Sequence, residues 1–139
     1  KGPTLSTYVS IAGRYLVLVP FSNVISVSKK IVSKAERERL KRLIASIKPD
    51  NFGVIIRTVA EGREVAELDK DMTNMVEKWN TLTQNLRTAK PGDKVLGELG
   101  RSSSMLRDML NESFDAITVD SPALHEEMRT YIQQIAPDK

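Results

Sequence analysis

The stretch Gly53-Val54-Ile55-Ile56-Arg57-Thr58 restricts this chain more than any other. Three consecutive β-branched apolar residues favour a strand, and apolar residues at both parities suit a central strand covered on both faces by helices. The run ends abruptly in Arg57-Thr58, and Ala60-Glu61-Gly62 follows as a turn. In open α/β sheets ligands collect at the carboxyl ends of strands. An arginine there offers a planar fork of donors suited to phosphate or carboxylate, and the neighbouring threonine adds a hydroxyl. The same residues also suit a solvated strand end, with Arg57 paired to Glu61 or Glu64.

On either side of this stretch the pattern alternates between strand and helix. Ser6 to Ile11, Tyr15 to Val19 and Val24 to Ser28 read as three strands separated by Ala12-Gly13 and by Pro20 to Asn23, an order that suggests an antiparallel meander. Ser33-Lys34-Ala35-Glu36 reads as a capping box before a helix carrying Leu40, Leu43, Ile44 and Ile47, stopped by Lys48-Pro49-Asp50. Arg37, Arg39, Lys41 and Arg42 fall mostly on its other faces. After the anchor strand, a long helix from about Glu64 to Ala89 shows a stripe from Val65 through Leu68, Met72, Met75 and Trp79 to Leu86. Val95 to Leu99 and Phe114 to Val119 are further strand candidates. A short helix opens near Gly100-Arg101, and a last helix opens at Ser121-Pro122. The expected fold is therefore α/β (α+β): one mixed sheet, a three-strand meander followed by alternating helices and strands, with helices covering the sheet. A single domain over residues 6–135 is expected, with residues 1–5 as an entry linker and 136–139 as an exit linker.

Composition removes several chemistries. The 139 residues include no cysteine, so disulfides and thiolate metal sites are excluded. One histidine, His125, has no second ligand of suitable type beside it. Ser102, Ser103 and Ser104 offer an N-cap, and no G-x-S-x-G turn frames a nucleophile. Glu67 and Asp71 stand one helical turn apart, where two carboxylates either face solvent or share a divalent ion that needs further oxygens. No apolar run can span a bilayer, and Lys1-Gly2-Pro3-Thr4 neither resembles a signal peptide nor begins with Met, which suggests a piece of a longer protein. A net charge of +3 leans weakly toward an anionic partner. Lys29-Lys30 suits a solvated strand end or a phosphate-backbone contact.

Five segments in order, Gly13-Arg14-Tyr15-Leu16-Val17-Leu18-Val19-Pro20, Ile25 to Ile31, Glu36-Arg37-Glu38-Arg39-Leu40-Lys41, Gly53 to Thr58 with Ala60-Glu61-Gly62, and Leu106-Arg107-Asp108-Met109-Leu110, together resemble the ribonuclease E/G family. Glu61-Gly62, Ala66-Glu67-Leu68 and Gly97-Glu98-Leu99 are nearer its ribonuclease G branch. The resemblance covers the segment called the 5′ sensor, which follows an S1 RNA-binding domain. It implies a pocket for the 5′-monophosphate of RNA built from Arg57, Thr58 and a main-chain contact at Val17. Lys1, Lys29, Lys30 and Arg63 would approach the RNA backbone. It also implies a cytoplasmic, homo-oligomeric parent endoribonuclease whose Mg²⁺ sits on carboxylates of a downstream DNase I-like domain. The piece itself would then need no cofactor, bind an RNA end, contact the S1 and catalytic domains of its parent, and leave RNA uncut.

Overall fold

A computed structural model describes residues 2, 4–97, 100–111 and 113–135. The chain divides into two compact units, Lys1–Val95 and Leu96–Lys139. Unit 1 contains β1 (Ile11–Ala12), β2 (Leu16–Pro20), β3 (Ile25–Val27), helix α1 (Lys34–Ile47), β4 (Phe52–Ile56), a 3-10 turn (Thr58–Ala60) and helix α2 (Val65–Leu86). Unit 2 contains α3 (Arg101–Met109) and α4 (Pro122–Ile135).

The four strands form one mixed sheet in the order β1-β2-β4-β3. β2 is antiparallel to β1 and to β4, while β3 runs parallel to β4. The mixed sheet and its helices agree with the α/β expectation, but the meander does not form. β4 takes the place beside β2, because five residues rich in Val and Ile bury more there than three-residue β3 with its polar Ser26. β3 takes the outer edge. To reach it, the β2–β3 connection passes over Gly53, where a Cβ would lie 2.6 Å from Ser22 Oγ and 3.0 Å from the Val24 carbonyl. The β3–α1–β4 segment is then a parallel crossover unit.

Among the described residues, one face of the sheet is fully covered. Leu16, Leu18, Val54 and Ile56 are wholly buried and meet Leu40 and Ile44 of α1 and Leu68, Met72 and Met75 of α2. Val17 and Ile55 pair across β2 and β4 on the other face, where Ile55 is 43% exposed. The expectation of a strand covered on both sides is thus corrected: α1 packs on β3, and α2 on β1 and β2, with the two helices touching each other. At the far end of the sheet, Trp79 stands edge-on to both Phe21 and Phe52.

Strand limits also shift. Ser6 to Ser10 do not pair, and Leu5 and Tyr8 are exposed. Phe114 to Val119 is no strand, nor is the described part of Val95 to Leu99, whose Glu98 and Leu99 lie outside the described residues. A strand needs a neighbour's N–H and C=O groups, and unit 2 holds helices alone among its described residues. There Ser103 Oγ donates to Glu127 Oε1 at 2.7 Å, and α3 packs on α4. His125 sits beside Glu126 at 3.4 Å, with its side chain 58% exposed.

The capping box on α1 is half formed. Ser33 Oγ accepts the Glu36 N–H at 3.3 Å. The Glu36 carboxylate turns away and accepts two bonds from Arg39 at 2.6 Å and one from the Gly62 N–H at 2.8 Å. Arg39 also donates to the Arg63 carbonyl at 3.0 Å, so α1 clamps the segment that leads into α2. The Arg39 bonds, then the Gly62 N–H, lower the Glu36 pKa from 4.5 to about 2. Glu36 therefore stabilises the fold above about pH 4.5, and this contribution is lost as pH falls toward 2. With partial solvent screening it amounts to about 1 kcal/mol. Urea melts of wild type and Glu36→Gln should differ by that amount at pH 7 and converge near pH 2. A gap that persists in acid would count against this linkage.

Candidate functional site

Because β3 and β4 are parallel neighbours with Val27 opposite Ile56, their carboxyl ends finish together. Antiparallel β2 begins at the same edge. One rim therefore gathers Ser28, Lys29 and Lys30 after β3, Arg57 and Thr58 after β4, and the Gly13-Arg14-Tyr15 turn before β2. The Arg57 N–H still donates to the Tyr15 carbonyl at 2.9 Å. At Thr58 the chain leaves the sheet and winds into the 3-10 turn.

Arg57 and Thr58 lie past the end of β4, and their side chains reach different neighbours. Arg57 Nη1 reaches the β1–β2 turn and donates to the carbonyls of Gly13 and Arg14, each at 3.0 Å. Arg57 is thus tied to backbone oxygens of the turn. Thr58 Oγ1 lies 2.9 Å from Ser28 Oγ. The Ser28 N–H donates to the Ile56 carbonyl at 2.9 Å, and Ser28 Oγ accepts the Lys30 N–H at 3.3 Å. Arg37 from α1 secures the same loop, with Nη1 donating to the carbonyls of Ser28 at 2.7 Å and Ile31 at 3.1 Å. Lys29 and Lys30 are held exposed on this braced turn.

Val17 is interior to the sheet, paired with Ala12 on one side and Ile55 on the other. Bond directions alternate along an antiparallel pair, so the Arg57-to-Tyr15 bond directs the Val17 N–H to Ile55 within the ladder. Val17 thus lines the open sheet face and keeps its N–H in the sheet. Arg63 stacks 5.6 Å from the Tyr15 ring centre, with Arg14 at 5.3 Å, and lies 3.4 Å from Glu67. Lys1 lies outside the described residues.

Glu67 and Asp71 do not fit a divalent ion. Glu67 accepts the Tyr15 hydroxyl at 3.1 Å and the Glu64 N–H at 3.2 Å. Asp71 is 9% exposed and accepts the N–H groups of Arg14, Tyr15 and Leu16 at 2.9, 2.8 and 3.0 Å. Burial, then the Glu67 charge and hydrogen bond, raises the Tyr15 pKa against the lowering effect of Arg14 and Arg63. Asp71 was legible in part, since it falls three residues after Leu68 and four before Met75, inside the apolar stripe. Ser28 and Arg37 carried no comparable signal.

Among the described residues no helix is long and apolar enough to cross a membrane. The Ribonuclease E/G family profile matches residues 10–139. The chain is 35% identical over 148 aligned residues to the chloroplastic Ribonuclease E/G-like protein of Arabidopsis thaliana, covering 99% of this chain and 15% of that protein. It is 33% identical over 138 residues to Ribonuclease G of Escherichia coli K12, covering 99% of the chain and 28% of that protein. Against Ribonuclease E of a Nostoc species it is 30% identical over 133 residues, with 96% and 19% covered. The chain thus spans well under a third of the length of each of these relatives.

Proposed function

The chain belongs to the ribonuclease E/G family, and on that premise we propose that it is the module that reads the 5′ end of RNA for a larger Mg²⁺-dependent endoribonuclease. The observation that carries this reading is the shared rim, where the adjacent parallel strands β3 and β4 deliver Ser28-Lys29-Lys30 and Arg57-Thr58 to one edge. A terminal phosphomonoester carries about −1.5 to −2 charges near neutral pH. An internal diester carries one charge and lacks the third free oxygen. The Arg57 fork, aimed by the Gly13 and Arg14 carbonyls, meets phosphate oxygens. Thr58, whose hydroxyl is turned to Ser28, joins the contact through its backbone N–H where the chain leaves the sheet. Lys29 and Lys30 add charge along the strand that follows. In the parent, holding the 5′ end raises the effective concentration of downstream RNA at the catalytic domain. The parent acts on RNA in the cytoplasm, assembles from several copies and joins this module to an S1 domain.

The direct test is fluorescence anisotropy with two RNAs of one sequence, ending in a 5′-monophosphate or a 5′-hydroxyl. Tighter binding of the monophosphate is expected, and equal affinities would sink the reading. Double replacement Lys29→Ala, Lys30→Ala should weaken both RNAs alike and flatten the salt slope by about 1.4, from roughly 0.7 per phosphate contact. Incubated with Mg²⁺, the chain alone should leave RNA intact, and specific cleavage would reassign the catalytic centre to it.

A second reading, a spacer that sets the distance between neighbouring domains, draws on one observation. Arg57 Nη1 already binds two carbonyls and so ties the β1–β2 turn to the end of β4. The same titration separates the two, since a spacer has no preference for the RNA end.

A further inference from the structure

We propose that Asp71 is the positioning residue of this site: by gathering three N–H groups of the β1–β2 turn, its carboxylate fixes the carbonyls that aim Arg57. The inference rests on the end-reading role above and deepens it. The turn is gripped from both sides. Its donors, the N–H groups of Arg14, Tyr15 and Leu16, converge on Asp71 at 2.8–3.0 Å. Its acceptors, the carbonyls of Gly13 and Arg14, hold Arg57 Nη1. A shift of the turn therefore moves the guanidinium.

The chemistry of the grip requires a carboxylate. Successive N–H groups that point inward form a concave, partly positive cradle suited to an anion. A carboxylate offers two oxygens and about four lone-pair sites, enough for three bonds. An amide of the same shape offers one oxygen and turns two donors toward donors. The approach is close, since a Cβ at Gly13 would lie 2.5 Å from Asp71 Oδ2. Asp71 itself is anchored by α2, whose neighbouring Leu68, Met72 and Met75 are buried in the core. The sequence Leu68–Asp71–turn–Arg57 thus links the rigid core to the fork, and recognition by a fork depends on placement within about 0.5 Å.

The test uses the 139-residue chain and the ratio of the Kd for hydroxyl-ended RNA to that for monophosphate-ended RNA. Wild type should give a ratio on the order of ten or more, as expected for a charge-assisted bond. Asp71→Asn should bring it near unity. If Asp71 only stabilises the fold, Asp71→Asn lowers the melting temperature and weakens both RNAs equally while the ratio holds, and the proposal is overturned. A second measurement stands apart from RNA: the NMR signals of the Arg57 guanidinium. Asp71→Asn should speed rotation about its bonds, and unchanged signals overturn the proposal. If wild type shows no end preference, the end-reading role fails, and the NMR result alone decides whether Asp71 positions Arg57. Should Asp71→Asn not fold, Gly13→Ala presses on the same carboxylate and must show the same selective loss. A retained ratio in a folded Gly13→Ala overturns the proposal.

Discussion

Arg57→Ala should abolish the preference for a 5′-monophosphate and bring the two dissociation constants to a ratio of about 1. The Arg57 guanidinium can meet two phosphate oxygens in a plane, and a charge-assisted bond contributes about 1.5–3 kcal/mol. Its loss corresponds to roughly tenfold or more in affinity for the phosphorylated end. Arg57→Lys should restore only part of this, because an ammonium keeps the charge without the fork. Both replacements also remove the bonds from Nη1 to the Gly13 and Arg14 carbonyls. That costs about 1 kcal/mol of stability, so thermal melts must confirm folded protein at the titration temperature. A folded Arg57→Ala that keeps the wild-type ratio would remove Arg57 from the site.

The second large effect separates two adjacent isoleucines. Ile56 is fully buried beneath α1 and α2, whereas Ile55 is 43% exposed on the open face. Ile56→Ala removes core contacts and leaves a cavity, at a cost of about 3 kcal/mol. For a unit of this size that lowers the melting temperature by roughly 12 °C or more. Ile55→Ala should cost about 1 kcal/mol, since much of that side chain is already in water. Equal losses for the two variants would mean that the second sheet face is as well covered as the first.

Sequence alone treated those two residues alike, because a run of apolar residues does not say which face has a partner. It ranked the helices better. α1 and α4 start where Ser33 and Ser121 placed them, and α2 ends at Leu86, three residues before the expected Ala89. α3 opens near the expected Gly100-Arg101, but Gly100 is its N-cap and Ser102, Ser103 and Ser104 lie inside the helix, so the serine cap expected there does not form. Ser33 and Ser121 cap α1 and α4 through bonds spanning three residues, which a short window of sequence contains. Strands fared less well. β3 was recognised as a strand yet given the wrong neighbour, and Phe114 to Val119 shows apolar residues in strand-like order although no other strand forms among the described residues of its unit. Whether such a stretch becomes a strand depends on residues elsewhere.

The site divides along the same line. Arg57 and Thr58 were legible as donors at a strand end, because their chemistry and the abrupt stop of Val54-Ile55-Ile56 lie side by side in the sequence. What each of them holds was not. Arg57 binds Gly13 across 44 positions, Thr58 meets Ser28 across 30, and Asp71 bonds Tyr15 across 56. Residue types, helix periodicity and capping are set by neighbours three or four positions apart, and the amino-acid sequence by itself determined those. The tertiary structure decided that β4 lies between β2 and β3, that one sheet face stays open, and that a buried carboxylate and a guanidinium grip one turn from opposite sides. Those contacts exist only once distant segments are packed together, since the burial that drives them is a property of the assembled sheet and helices.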